Sequence, residues 1–159
     1  MKRTDTEIAD IYGRHVKMVY RVCYSYMKIP SDAEDAVSDT FYKLIVSDPV
    51  FKNAEHEKAW LVRTASNVCK NSLKHWRRRN EPLEDHEELK AETAETNDVW
   101  EAVLALPDRY KTVIYLYYYE GYSGDEIACI LKKPASTVRN HLREARALLR
   151  QKLGDEFNG

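Results

Sequence analysis

The sequence predicts an all-α fold, built as two small helical domains joined by an acidic, flexible linker. Three observations carry this expectation. Apolar residues recur in steps of three and four along most of the chain, the spacing that gathers side chains on one helix face. Gly and Pro number only five each, which argues against a fibrous or disordered chain. Residues 80–97 break the period and are dense in Glu, Asp and Thr, so the domains are expected at 1–79 and 98–159.

The first helix is expected from Thr6 to Met27. Ile8, Tyr12, Val16, Val19, Cys23 and Tyr26 form its apolar face. Lys28-Ile29-Pro30 breaks it. Ser31 with Glu34 then carries a capping-box signature, and a helix to about Val46 should follow. Its inward face is Ala33, Val37, Phe41 and Leu44, and its outward face carries Asp32, Asp35, Asp39 and Tyr42. Ser47 to Glu57 has no period and reads as a loop. A long helix returns from Lys58 to about Arg79, with Leu61, Ala65, Val68, Leu73 and Trp76 inward. Arg63, Asn67, Lys70, Lys74 and Arg77 form a polar, basic stripe along it, with Arg78 beside its end.

Beyond the linker, Val99, Val103 and Leu106 mark a short helix stopped by Pro107, which suits the first turn of the next one. That helix runs to about Tyr119 and is crowded with Val113, Ile114, Leu116 and the tyrosines 115, 117, 118 and 119, expected mainly as core. Ser123 with Glu126 forms another capping-box signature, opening a helix of Asp125 to Leu131 with Ile127 and Leu131 as its buried pair. Lys132-Lys133 makes a tight turn in which Lys132 is expected at positive φ, at a cost of about 1 kcal/mol. Pro134 suits the first turn of the last helix. There Val138, Leu142, Ala145 and Leu149 face inward, while Ser136, Arg139, Asn140, Arg143, Arg146 and Arg150 face outward. This is the layout of a helix-turn-helix.

The charges are segregated although the formal net is only −1. Residues 60–80 hold six basic and no acidic side chains, residues 132–152 seven and one, and residues 81–100 one and eight, giving local nets of +6, +6 and −7. Basic blocks of this kind are the electrostatic footprint of a polyanion binder. In a helix-turn-helix the second helix enters the DNA major groove with its N-terminal residues at the base edges. Arg there bridges guanine O6 and N7, Asn bridges adenine N6 and N7, and later arginines displace phosphate counterions.

Other classes fit poorly. The longest apolar run, Val113 to Tyr119, is seven residues, far short of the roughly 20 that span a bilayer, so no membrane insertion is expected. The first residues contain no apolar stretch that serves as a signal peptide. Cys23, Cys69 and Cys129 are scattered thiols suited to a reducing cytoplasm. There is no P-loop, dinucleotide fingerprint or His-Glu-x-x-His pattern, and the cysteines and histidines lack metal-ligand spacing. No enzyme activity, cofactor or metal is therefore expected. His15, His56, His75, His86 and His141 read as surface histidines.

The stretch from Leu106, LPDRYKTVIYLYYYEGYSGDEIACILKKPASTVRNHLREARALLRQKL, resembles the C-terminal domain of extracytoplasmic-function sigma factors, promoter-recognition subunits of bacterial RNA polymerase. DAEDAVSDTFYKL at Asp32 to Leu44 resembles the polymerase-binding helix of that family. WLVRTASNVCKNSLKHWRRR at Trp60 to Arg79 resembles its helix for the −10 promoter element. The resemblance implies that Asp32, Asp35, Ser38, Asp39 and Tyr42 dock on the beta-prime clamp helices of core polymerase, and that the beta flap is a further partner surface of the chain. Ser38 stands where the family commonly has glutamine. It implies −10 contacts from Arg63, Asn67, Lys70, Lys74, Arg77 and Arg78. It also implies −35 contacts from Ser136, Thr137, Arg139, Asn140, Arg143, Arg146 and Arg150. Core RNA polymerase, promoter DNA and an anti-sigma factor are the implied partners. The implied function is promoter-specific transcription initiation in the cytoplasm. A two-domain regulator of the response-regulator output type shares the helix-turn-helix pattern but needs neither the acidic nor the first basic helix. A protein-interaction adaptor predicts no salt-dependent DNA affinity.

Overall fold

The computed structural model describes residues 2–79 and 98–154, and the linker expected over 80–97 lies outside the described residues. Every regular element among the described residues is a helix. In chain order they are α1 (Asp5–Met27), α2 (Pro30–Ser47), α3 (Ala54–Arg79), α4 (Asp98–Leu104), α5 (Asp108–Tyr118), α6 (Gly124–Leu131) and α7 (Ala135–Leu153). The chain divides into two compact units, Met1–His86 and Glu87–Gly159.

The first unit packs α1, α2 and α3 mutually. α1 starts one residue before the expected Thr6 because Thr4 and Glu7 form a capping box, each side chain accepting from the other's backbone N–H at 3.1 Å. At its end Lys28 turns left-handed, with φ 65°. The capping box expected from Ser31 and Glu34 does not form. Pro30 occupies the first helical turn, where its fixed φ is already suitable, and the extended Ile29 is the N-cap with its side chain buried. Ser31 and Glu34 are thus already inside the helix. α3 also begins earlier than Lys58, since the Asn53 amide oxygen accepts from the His56 backbone N–H at 2.8 Å and caps a start at Ala54.

Val19, Val22 and Cys23 of α1, Ala33 and Leu44 of α2, and Leu61, Ala65 and Cys69 of α3 are fully buried and form this core. Two expected core aromatics sit further out. Tyr12 is exposed, its ring leaning on Phe41 at 4.9 Å, and Trp76 is half-buried. Charged links tie the helix ends. Arg3 pairs with Asp48 at 2.8 Å. Glu57 is buried and accepts from Arg14 at 3.0 Å, with His15 Nε2 2.7 Å away. His15 is therefore a packed partner of Glu57 and not the expected surface histidine, because α1 and α3 pack face to face there.

In the second unit α5 is the central helix, with Val113, Ile114, Tyr115 and Leu116 at most 1% exposed. α7 packs against α4, α5 and α6. The tyrosines divide. Tyr110 and Tyr115 are buried, Tyr117 and Tyr118 are half-buried, and Tyr119 is exposed with its ring edge-on to Trp100. The buried hydroxyls reach carboxylates, Tyr115 to Glu120 at 2.7 Å and Tyr110 to Glu144 at 3.4 Å. Pro107 and Pro134, expected in first turns, are N-caps with extended backbone. Leu131, the last residue of α6, is half-buried, and Ala128 is buried beside Ile127 in its place.

Candidate nucleic-acid interface

α6 and α7 form the expected helix-turn-helix. Ser123 and Glu126 cap each other's backbone N–H groups, at 3.2 and 2.9 Å, and fix the start of α6. Lys132 ends it in the left-handed region, φ 55° and ψ 48°, as expected of the tight turn. The Lys133 N–H then bonds back to the Ala128 carbonyl at 3.0 Å, closing the turn. Pro134 launches α7, whose first turn contains no acidic residue and no side-chain cap. The positive dipole end of α7 is thus not offset by a carboxylate of its own first turn.

The inner stripe of α7 is as expected, with Val138, Leu142, Ala145 and Leu149 buried. Ser136, Arg139, Asn140, Arg143 and Arg150 are exposed, and Thr137 is half-buried. Arg146 departs from the expected outward set. Its guanidinium lies over the Tyr117 ring, 4.5 Å from the centroid, and its Nε is buried. A cation stacked on an aromatic face of the neighbouring helix is held inward and braces α7 on α5.

On α3, Asn67 and Lys74 are exposed, while Arg63 and Lys70 are half-buried. Burial pushes the Arg63 guanidinium down from its ordinary value, though arginine stays cationic. The side chains of Arg77 and Arg78 lie outside the described residues. On α2, Asp35, Ser38, Asp39 and Tyr42 are exposed and Asp32 is half-buried, so this outward face forms as expected.

Sequence reasoning missed a feature between these two faces. A groove of about 550 Å³ runs between α2 and α3, walled by Asp39, Tyr42 and Val46 on one side and Asn71, His75 and Trp76 on the other. It joins the acidic face to the helix that carries the basic stripe. The half-buried Trp76 is its only sequence signal, because the groove depends on how α2 crosses α3. No group of His, Cys, Asp and Glu that could hold a metal occurs among the described residues.

Residues 11–80 match the family model for sigma-70 region 2, and residues 96–149 match that for sigma-70 region 4. The chain is 34% identical over 146 residues to RNA polymerase sigma factor SigV of Bacillus subtilis, covering 89% of this chain and 88% of the relative. It is 28% identical over 182 residues to the ECF RNA polymerase sigma factor SigW of Bacillus subtilis, covering 98% and 94%. The chain belongs to the extracytoplasmic-function sigma-factor family. The fold of this sigma factor is similar to a solved complex of the sigma factor RpoE with the anti-sigma factor NepR from Bartonella quintana. The TM-score is 0.73 at 18% identity, over 95% of this chain and 99% of that one. The region 2 match displaces the response-regulator output reading, which leaves α1 to α3 of the sigma factor without a purpose. None of its described helices is long and apolar enough to cross a membrane.

Proposed function

We propose that this sigma factor joins core RNA polymerase through α2 and reads promoter DNA through α3 and α7. The observation that carries this reading is the second helix of the helix-turn-helix, which holds Arg139, Asn140 and Arg143 in solvent at its N-terminal half. Those positions suit base edges of the −35 element, and Ser136 and Thr137 lie one turn earlier, near the backbone. Arg150 suits a phosphate. Arg63, Asn67, Lys70, Lys74, Arg77 and Arg78 are assigned to the −10 element. The exposed acids Asp35 and Asp39, with Asp32, Ser38 and Tyr42, are assigned to the beta-prime clamp helices, and α4 to α7 to the beta flap. The chain acts in the cytoplasm by binding. The solved relative was captured with an anti-sigma factor, and a protein of that class is the proposed inhibitor here.

Transcription from a promoter library by core polymerase, with and without the chain, tests this function. Transcripts from a restricted promoter set should appear only when the chain is added. Unchanged or reduced transcription would overturn the reading. Charge reversal of Asp35 and Asp39 together should weaken association with core polymerase at unchanged helical content. Pull-down at wild-type strength would remove α2 from the polymerase interface.

A further inference from the structure

Gly124 of α6 lies against Leu142 of α7, where a Cβ would stand 3.5 Å from Leu142 Cδ1. α6 packs on α7, so the first turn of α6 stands beside the first two turns of α7. The next residue, Asp125, faces Arg139, which lies one helical turn before Leu142. Asp125 Oδ1 is 3.9 Å from Arg139 Nη1. Both side chains are largely in solvent, 64% exposed for Arg139 and 85% for Asp125. Asp125 therefore does not hold the fold together. Its place in the first turn of α6 gains from the helix dipole, but Glu126 already supplies a carboxylate there and completes the capping box. A carboxylate beside a DNA-binding arginine also repels phosphate, which lowers affinity for any DNA.

We infer that Asp125 is a positioning residue for base recognition, its charge biasing Arg139 through one nitrogen so that the rest of the guanidinium fork faces a guanine. Reading guanine O6 and N7 takes two parallel N–H donors in a plane. A free arginine loses much rotamer freedom when it docks in that plane, and a carboxylate on one nitrogen removes part of that freedom beforehand. The same carboxylate disfavours the competing pose in which Arg139 swings to a phosphate. Asp125 thus lowers general affinity and raises selectivity. The inference rests on the proposed reading of bases by α7.

The test is promoter-library binding by core polymerase with the full chain, at two salt concentrations, for wild type, Arg139→Ala, Asp125→Ala, Asp125→Asn and the Asp125→Ala/Arg139→Ala double variant. Asp125→Ala should lose about two- to five-fold of discrimination, the scale of an exposed ion pair, at the promoter position where Arg139→Ala loses it. Affinity for non-promoter DNA should rise in the same variant. Asp125→Asn, which keeps an acceptor oxygen without the charge, should fall between wild type and Asp125→Ala. The double variant should match Arg139→Ala alone. Full discrimination in Asp125→Ala, with Arg139→Ala defective, would overturn the positioning role and leave base reading intact. Unchanged preference in Arg139→Ala would overturn base reading itself, and the positioning role with it.

Discussion

α3 and α7 lie in segments of equal charge, +6 over residues 60–80 and +6 over residues 132–152, yet they present it differently. α3 sets Arg63 and Lys70 half-buried against its own unit and alternates them with exposed Asn67 and Lys74. α7 leaves Arg139, Asn140, Arg143 and Arg150 in solvent and withdraws only Arg146, onto Tyr117. A half-buried cation lays its aliphatic stem along apolar surface and keeps its head near one place. An exposed one sweeps a wider volume and orders largely on binding, Arg139 less so because Asp125 stands 3.9 Å from it. Equal charge on two helices therefore does not mean equal recognition. On the proposed reading, α3 meets DNA at set points, whereas the early residues of α7 adjust to base edges. Inside, both units use an ion pair and a stacked arginine: Arg3–Asp48 with Arg3 over Phe51 in the first, Lys111–Asp108 with Arg146 over Tyr117 in the second. The first adds the buried Glu57 that serves Arg14 and His15, and the second adds tyrosine hydroxyls on carboxylates.

The largest effect that tests this contrast is a core deletion in each unit. Leu61→Ala in the first and Leu149→Ala in the second remove fully buried side chains, and each should cost its own unit about 2–5 kcal/mol. Denaturant unfolding followed by unit-specific NMR signals checks this. Loss of stability in the other unit would break the treatment of the two as separate bodies.

Glu57→Gln comes next. It removes a buried carboxylate that serves Arg14 and His15, and should destabilise the first unit by roughly 1–3 kcal/mol. Burial pushes the Glu57 carboxyl up, but the hydrogen bonds from His15 and Arg14 and their charges outweigh it and leave the carboxyl below its ordinary value. A lowered folded value means that the unfolded chain binds the proton first. The stability from Glu57 is therefore full above the unfolded value of about 4.3, and is lost as pH falls through the lower folded value. An acid titration of the first unit should show this loss in wild type and not in Glu57→Gln.

The smallest effect sharpens the contrast within α7. Arg150→Ala should lower the salt dependence of DNA binding by about one counterion, equally for all sequences. Arg146→Ala should leave that slope unchanged and cost the second unit about 0.5–1 kcal/mol through the lost stack on Tyr117. Equal salt slopes for the two variants would return Arg146 to the phosphate contacts.

Much of this architecture was legible in the residues. The inner stripe of α7, the Ser123–Glu126 box and the left-handed Lys132 all follow from interactions within a few residues, and all are present. The Ser31–Glu34 box has the same spacing and fails, because Pro30 and a buried Ile29 start the helix earlier. Thr4–Glu7 has the same spacing and closes, one turn before the apolar period that begins at Ile8. Two boxes of like spacing can thus differ through the residues before them and what those residues pack against.

The sequence by itself determined the helical class, the order of elements, the helix-turn-helix and the segregation of charge, because periodicity, capping and turn conformation are short-range. It also carried the family, through three motifs in order. Only the tertiary structure decided which polar groups stay available. Arg146 is turned inward by a ring from α5, His15 is claimed by Glu57 of α3, and the groove at Trp76 exists only where α2 crosses α3. Helical spacing places a side chain on a face of its own helix. Whether that face meets solvent, an aromatic ring or a carboxylate depends on helices distant in sequence, brought near by burial of the shared core.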